Sequence, residues 1–116
     1  MAESDFSVTV VRQGPVDVVR VSGDVDLYRA PEVSAVFDQL LEERSGNVLA
    51  DLLAVEFMDS TGLAVMMRTQ SRLSAQGRKL ALCATAYPVR SLFDFSGVDA
   101  VLPLHASIED ALTALG

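Results

Sequence analysis

The stretch VLADLLAVEFMDSTGL, residues 48–63, decides the fold of this chain. It begins within a short, nearly continuous apolar run, residues 47–52, which is typical of a central strand covered on both faces. After the connection 53–58, the polar group Asp59-Ser60-Thr61-Gly62 precedes apolar residues at helical spacing. This order predicts a buried strand followed by a helix that carries the polar group at its amino terminus.

The segments after this stretch complete a βαβ unit. A second buried run, residues 80–84, follows the helix, so the helix crosses over between two strands that we expect to be parallel. One face of the helix comprises Leu63, Met66, Met67, Gln70 and Leu73, and Gly77 provides the stop signal.

Two strands and a helix are predicted before the central strand. Residues 6–12 and 17–21 are rich in valine, and the Gly14-Pro15 pair between them marks the turn of a hairpin. A polar loop follows, and Pro31 suits the first turn of a helix that runs to about residue 44. The apolar stripe of this helix is Val33, Val36, Phe37, Leu40 and Leu41.

The last third of the chain predicts two helices and a short strand. Pro88 opens a helix that ends at Gly97 and carries Val89, Leu92, Phe93 and Phe95. A strand at 101–104 and a helix capped by Ser107 complete the chain. The expected fold is therefore α/β. A single domain spans residues 1–116, with a mixed four- to five-stranded sheet, about four helices, an amino-terminal hairpin and the parallel βαβ unit.

Composition and charge limit the classes of function. Half of the residues are apolar, which suits one globular domain of 116 residues. The polar start Met1-Ala2-Glu3-Ser4-Asp5 lacks a basic signal-peptide region, and no apolar run is long enough to span a bilayer, so we expect a cytoplasmic protein. A net charge of -7 opposes binding to nucleic acid and to anionic membranes. It suits either a basic protein partner or simple solubility.

The sequence carries no recognisable catalytic or metal-binding motif. The only histidine, His105, has no ligand at zinc-site spacing, and Ser60 lacks the flanking glycines of a nucleophile elbow. The glycines form neither a phosphate-binding loop nor a dinucleotide fingerprint. Cys83 lies in an apolar run and is expected to be a buried thiol. We therefore expect a protein that is not an enzyme and needs neither cofactor nor metal.

By spacing alone, Asp59-Ser60-Thr61-Gly62 could be no more than a helix cap. However, residues 48–63 resemble the signature of the STAS family of anti-sigma-factor antagonists. Gly23-Asp24-Val25-Asp26 also resembles the family's Gly-Glu-hydrophobic-Asp loop, and residues 90–97, RSLFDFSG, resemble its late helix. The three segments occur in the family's order and cover nearly the whole chain.

The resemblance implies a set of site residues. In the family the serine after the motif aspartate is phosphorylated, which carries over to Ser60, and the loop aspartate near that serine corresponds to Asp26. The implied partner-binding residues are Asp24, Asp26, Asp59, Ser60, Thr61, Gly62 and Leu63. Ala64 and Asp24 depart from the family's usual glycine and glutamate, and Thr61 is a second hydroxyl that could accept phosphate.

The resemblance also implies a bacterial regulatory cycle. The unphosphorylated protein would bind an anti-sigma factor that is a serine kinase, and so release a sigma factor. Phosphorylation would end the complex, and a serine phosphatase would restore it. Two alternatives stay open: a STAS scaffold subunit of a stress-signalling or lipid-transport complex, and a stand-alone ligand-sensing module suggested by the four methionines.

Overall fold

A mixed sheet of five strands forms the centre of the computed structural model, which describes residues 6–116. The strands are β1 Ser7–Gln13, β2 Val16–Ser22, β3 Val48–Ala54, β4 Leu80–Cys83 and β5 Leu104–His105, and they lie side by side in chain order. β1 and β2 are antiparallel, whereas every other pair is parallel. The predicted hairpin and βαβ unit are confirmed. The polar start at residues 1–5, on which the expectation about a signal peptide depends, lies outside the described residues.

Within the described residues, four helices connect or follow the strands. They are α1 Ala30–Glu43, α2 Ser60–Ala75, α3 Tyr87–Ser96 and α4 Ile108–Leu115. Local signals set their ends: the Ser107 hydroxyl accepts a hydrogen bond of 3.0 Å from the Asp110 amide at the start of α4. Gly97 ends α3 with φ at 75°, a left-handed conformation that glycine adopts without steric cost. No helix within residues 6–116 is long and apolar enough to cross a membrane.

The helices cover the two faces of the sheet unequally. On one face α1, α2 and α3 pack over β2, β3 and β4, and the large buried side chains Phe37, Met66 and Phe93 belong to this core. On the other face, α4 is the one helix of residues 6–116 that covers Val18, Leu49 and their neighbours. The central strand β3 is therefore buried on both faces over its first five residues, as the apolar run predicts.

The observed elements differ from the predicted ones at the last strand. Residues 101–104 were expected to be extended, but the chain makes a short 3₁₀ turn at Val98–Ala100 and β5 has only two residues, Leu104–His105. Leu102 lies in the bend between the 3₁₀ turn and β5, where it is 2% exposed and its amide donates to the Val98 carbonyl at 2.8 Å. Periodicity in a four-residue window cannot distinguish these two outcomes.

Phe95 also lies outside the core although its helix is amphipathic. Val89 and Phe93 are buried at helical spacing, whereas Phe95 is 88% exposed. Two residues of helix correspond to a rotation of about 200°, so Phe95 cannot share the face of Phe93. Cys83 is buried as predicted, and this burial together with the Asp51 carboxylate raises the pKa of the thiol to about 12.

Candidate functional site

Two loops are joined by hydrogen bonds at the carboxyl ends of the strands: loop 23–26 follows β2, and loop 55–59 connects β3 to α2. The Val25 amide donates to the Phe57 carbonyl at 3.0 Å, and the Asp59 amide donates to the Val25 carbonyl at 3.1 Å. Val25 and Met58 form the corresponding parallel bridge, and both side chains are buried. These backbone bonds extend the β2–β3 pairing beyond the strands and hold the 23–26 loop against the start of α2.

Asp59 organises the amino terminus of α2. As the N-cap residue, it accepts a hydrogen bond of 2.9 Å from the Thr61 amide, and the Thr61 hydroxyl donates to the same carboxylate oxygen. The hydroxyl bond of Thr61 is the main cause that lowers the pKa of Asp59, and the amides of Thr61, Gly62 and Leu27 act in the same direction against desolvation. Asp59 is therefore a fixed negative charge at neutral pH.

The two hydroxyl groups next to Asp59 differ in availability. Ser60 is exposed and is the first residue of α2. Thr61 is half-buried, and its hydroxyl is committed to the Asp59 carboxylate. An incoming phosphoryl group would reach Ser60 without breaking a cap, whereas modification of Thr61 would remove one of the hydrogen bonds that hold the helix terminus.

The two loop aspartates have different environments. The Asp26 carboxylate accepts hydrogen bonds of 3.0 Å from the amides of Tyr28 and Arg29, and its carbonyl accepts one of 2.8 Å from the Ala30 amide. Asp26 therefore shapes the turn that opens α1. Asp24 is exposed on the same loop.

Gly62 and Leu63 are buried beneath this surface. A Cβ atom on Gly62 would lie 2.6 Å from Met58 Cγ and 2.8 Å from Val25 Cγ1, so only glycine allows the joined loops to approach α2 this closely. Leu63 is 8% exposed and belongs to the main core. Both residues support the site from inside.

Sequence reasoning missed an apolar surface beside Ser60. Leu27, Tyr28 and Phe57 are 62%, 85% and 46% exposed on the two joined loops. Next to them lies a groove of about 410 Å³ between α1 and α2, lined by Leu27, Ala30, Pro31, Ser34, Ala35, Asp38, Thr61, Val65 and Arg68. The available signal was the apolar pair Leu27-Tyr28 directly after a polar loop.

The site offers hydroxyl and carboxylate groups. Within residues 6–116, no group of three or more His, Cys, Asp or Glu side chains is placed to hold a metal ion. What the arrangement provides is an accessible alcohol at a helix amino terminus, a fixed carboxylate beside it, and exposed apolar side chains around both.

Comparison with known proteins agrees with this architecture. The STAS domain model matches residues 7–111. The chain belongs to the STAS-domain family.

Proteins similar to this chain include two curated relatives and one solved structure. An anti-sigma F factor antagonist of Paenibacillus polymyxa is 30% identical, over 84% of this chain and 85% of that protein. The anti-sigma-F factor antagonist RsfB of Mycobacterium tuberculosis is 27% identical, over 98% of this chain and 93% of that protein. The crystal structure of an anti-sigma factor antagonist from Mycobacterium paratuberculosis superposes with a TM-score of 0.90 at 29% identity, covering 98% of this chain and 97% of that one.

Proposed function

We propose that this protein is an anti-sigma-factor antagonist controlled by phosphorylation of Ser60. In its unphosphorylated form it binds an anti-sigma factor that is also a serine kinase, and a sigma factor is released; a serine phosphatase reverses the modification. The cycle takes place in the cytoplasm, where ATP and RNA polymerase are available. The observation that carries the proposal is the exposed Ser60 at the capped amino terminus of α2, and the names of the relatives support it.

The partner surface that we propose consists of Ser60, the half-buried Thr61 and the exposed residues around them. Asp24, Ser60 and Thr61 supply its polar contacts, whereas Leu27, Tyr28 and Phe57 supply apolar side chains. Aromatic and apolar anchors surrounded by polar groups are the usual composition of energetically important interface positions. Asp26, Asp59, Gly62 and Leu63 act mainly by holding this surface in shape.

The switch is electrostatic. A phosphate on Ser60 adds about -1.5 to -2 charges beside the ionised Asp59. Because Asp59 already accepts the Thr61 amide, the helix terminus cannot offer that donor fully to the phosphate. The added charge is therefore left at the contact surface, where it repels acidic groups of the partner and must be desolvated on binding.

A labelling and binding experiment tests this proposal. The protein is incubated with candidate anti-sigma kinases and ATP, the phosphate is located by mass spectrometry, and the affinity for the same kinases is measured by calorimetry. Ser60→Ala should bind but take up no phosphate, and Ser60→Asp should bind at least about tenfold more weakly, a loss of about 1.4 kcal/mol. Ser71→Asp is the matched control, since it places the same charge on an exposed position of α2 away from the site.

Two outcomes would overturn the proposal. Labelling of Ser60→Ala to the wild-type level would move the acceptor to another residue, first of all Thr61. Equal binding by Ser60→Asp and the wild-type protein would remove the electrostatic switch. Absence of labelling by every kinase, together with a stable assembly of high mass on gel filtration, would favour the scaffold alternative.

A further inference from the structure

A second cavity lies at the end of α2 remote from Ser60. It measures about 240 Å³ and is enclosed by α2, the start of β4, β5 and the end of α4. Its lining residues are Gln70, Ser74, Arg78, Lys79, Leu80, Ala81, Pro103, His105, Ala114 and Leu115. The volume is below the range of about 300–1,000 Å³ that is usual for drug-sized ligands, so the cavity suits a small molecule.

The cavity exists because β5 is too short to cover β4. Only Leu82 and Cys83 pair with β5, and Pro103, which has no amide hydrogen, lies beside the start of β4. The Ala84 amide donates to the His105 carbonyl, so by the alternation of a strand the Leu80 amide points to the same edge. In the part of the chain that the structure describes, no strand pairs with this edge at Leu80.

The charge of the lining is unusual for such an acidic chain. The only lysine, Lys79, and the only histidine, His105, both line the cavity, whereas none of its lining residues is acidic. Gln70 and Ser74 add neutral hydrogen-bond donors from α2. The chain carries a net charge of -7, yet no side chain that lines this cavity is acidic.

Arg78 contributes a buried positive charge at the wall of the cavity. The residue is 7% exposed, and its guanidinium donates to the carbonyls of Gly46 and Leu40 at 2.7 and 3.3 Å and to the Gln76 side-chain oxygen at 2.7 Å. All of these acceptors are neutral, and within residues 6–116 Arg78 forms no ion pair. Desolvation lowers the pKa of Arg78, which reflects the cost of this uncompensated charge.

Asp17 is the carboxylate that attracts Arg78, but it does not neutralise the charge of that arginine. Asp17 raises the pKa of Arg78 by its charge. However, Asp17 is paired with Arg12 at 3.1 Å and with Arg44 at 3.4 Å. Asp17 therefore already has two arginine partners, and it forms no ion pair with Arg78.

We propose that this cavity binds a small oxyanion of the phosphate or carboxylate type. Lys79 and His105 supply charged or polar contacts at its mouth, Gln70 and Ser74 donate hydrogen bonds from α2, and the free edge of β4 offers the Leu80 amide. The charge of Arg78 adds attraction through the wall. The site is independent of Ser60 and of its phosphorylation.

The test is an NMR titration of the ¹⁵N-labelled full-length protein with inorganic phosphate, pyrophosphate and citrate. Saturable shifts of the amides of residues 79–81 and 105 are expected for at least one of these anions. Lys79→Gln should weaken that binding about tenfold, because it removes a charge-assisted contact. His105→Gln should also weaken it, because the imidazole contact is lost. Arg90→Gln is the matched control: it removes an exposed cation on α3 and should leave the affinity unchanged.

Three results would overturn this inference. The first is the absence of saturable shifts with all three anions. The second is an affinity that Lys79→Gln and His105→Gln leave unchanged. The third is a set of shifts confined to the start of α2, which would show that the helix terminus and not the cavity attracts the anion.

Discussion

At the scale of single residues, the candidate site depends on the Asp59 carboxylate. It caps α2, fixes the Thr61 hydroxyl and supplies the negative charge next to Ser60. Since its backbone amide also joins the 23–26 loop, Asp59 connects both loops of the site through a single residue.

Replacing this cap should measurably destabilise the protein. We expect Asp59→Ala to lower the free energy of unfolding by about 1 kcal/mol, because the Thr61 amide loses its acceptor. Asp59→Asn should recover most of this loss, since asparagine is an equally good N-cap residue. Urea denaturation at neutral pH measures the free energy of unfolding of the wild type, Asp59→Ala and Asp59→Asn. An equal loss of stability in both variants would show that the carboxylate charge, and not the cap, stabilises the helix.

The lowered pKa of Asp59 predicts how the stability difference between the wild type and Asp59→Ala depends on pH. A carboxyl group whose pKa is lower in the native than in the unfolded state stabilises the protein above the unfolded value, about 3.9, and loses this effect as the pH falls through the native value. The stability difference between the wild type and Asp59→Ala should therefore narrow below about pH 4. Urea denaturation curves measured above and below about pH 4 test this prediction. A stability difference that does not change with pH would contradict the lowered pKa of Asp59.

At the scale of elements, a side chain from one segment supplies hydrogen bonds to the end of another. The last turn of α1 contains no basic residue, and Arg78, from the turn before β4, donates to the Leu40 and Leu41 carbonyls instead. The same guanidinium bonds Gly46. α1 is thereby tied to the βαβ unit at the end opposite to the candidate site.

Loss of this connection should be costly. We expect Arg78→Met to lower the free energy of unfolding by about 2 kcal/mol or more, because several buried carbonyls lose a charged donor. Arg78→Lys should recover only part of the loss, since an ammonium group lacks the planar fork that reaches several acceptors at once. Arg90→Met serves as the exposed control. If thermal or urea denaturation shows that Arg78→Met is no less stable than this control, the stabilising role of Arg78 is contradicted.

At the scale of the whole molecule, the site lies on a stable frame. Val25, Met58 and Leu63 beneath it are buried in the main core, whereas Ser60 lies outside that core. A charge at Ser60 can therefore change the surface without disturbing the packing of the sheet and helices.

Ser60→Asp should keep the native fold. We expect its free energy of unfolding to stay within about 0.5 kcal/mol of the wild type, as is usual for exposed positions. Amide shifts in a ¹⁵N spectrum should be confined to residues 24–28 and 57–63. Leu63→Asp, which buries a charge in the core, is the destabilised control, and shifts throughout the sheet of Ser60→Asp would show a conformational switch instead of an electrostatic one.

Most of the architecture follows from local patterns. The hairpin turn at Gly14-Pro15, the continuous apolar run of β3 and the caps at Asp59 and Ser107 each reflect interactions over a few residues, so they were predictable. The 3₁₀ turn at Val98–Ala100 was not predicted, because periodicity in so short a segment does not distinguish a turn from a strand.

Some features of the candidate site likewise follow from local sequence, and others depend on tertiary contacts. The local order of Asp59, Ser60 and Thr61 predicts a helix cap, because capping acts between neighbouring residues. The role of Ser60 as the phosphate acceptor was implied only by the family resemblance. Only the tertiary structure joins Val25 to Met58, exposes Leu27 and Tyr28 beside Ser60, and gathers Lys79 with His105 around one cavity. These contacts connect residues distant along the chain, and their geometry is set by strand register and by the length of β5, which no local pattern contains.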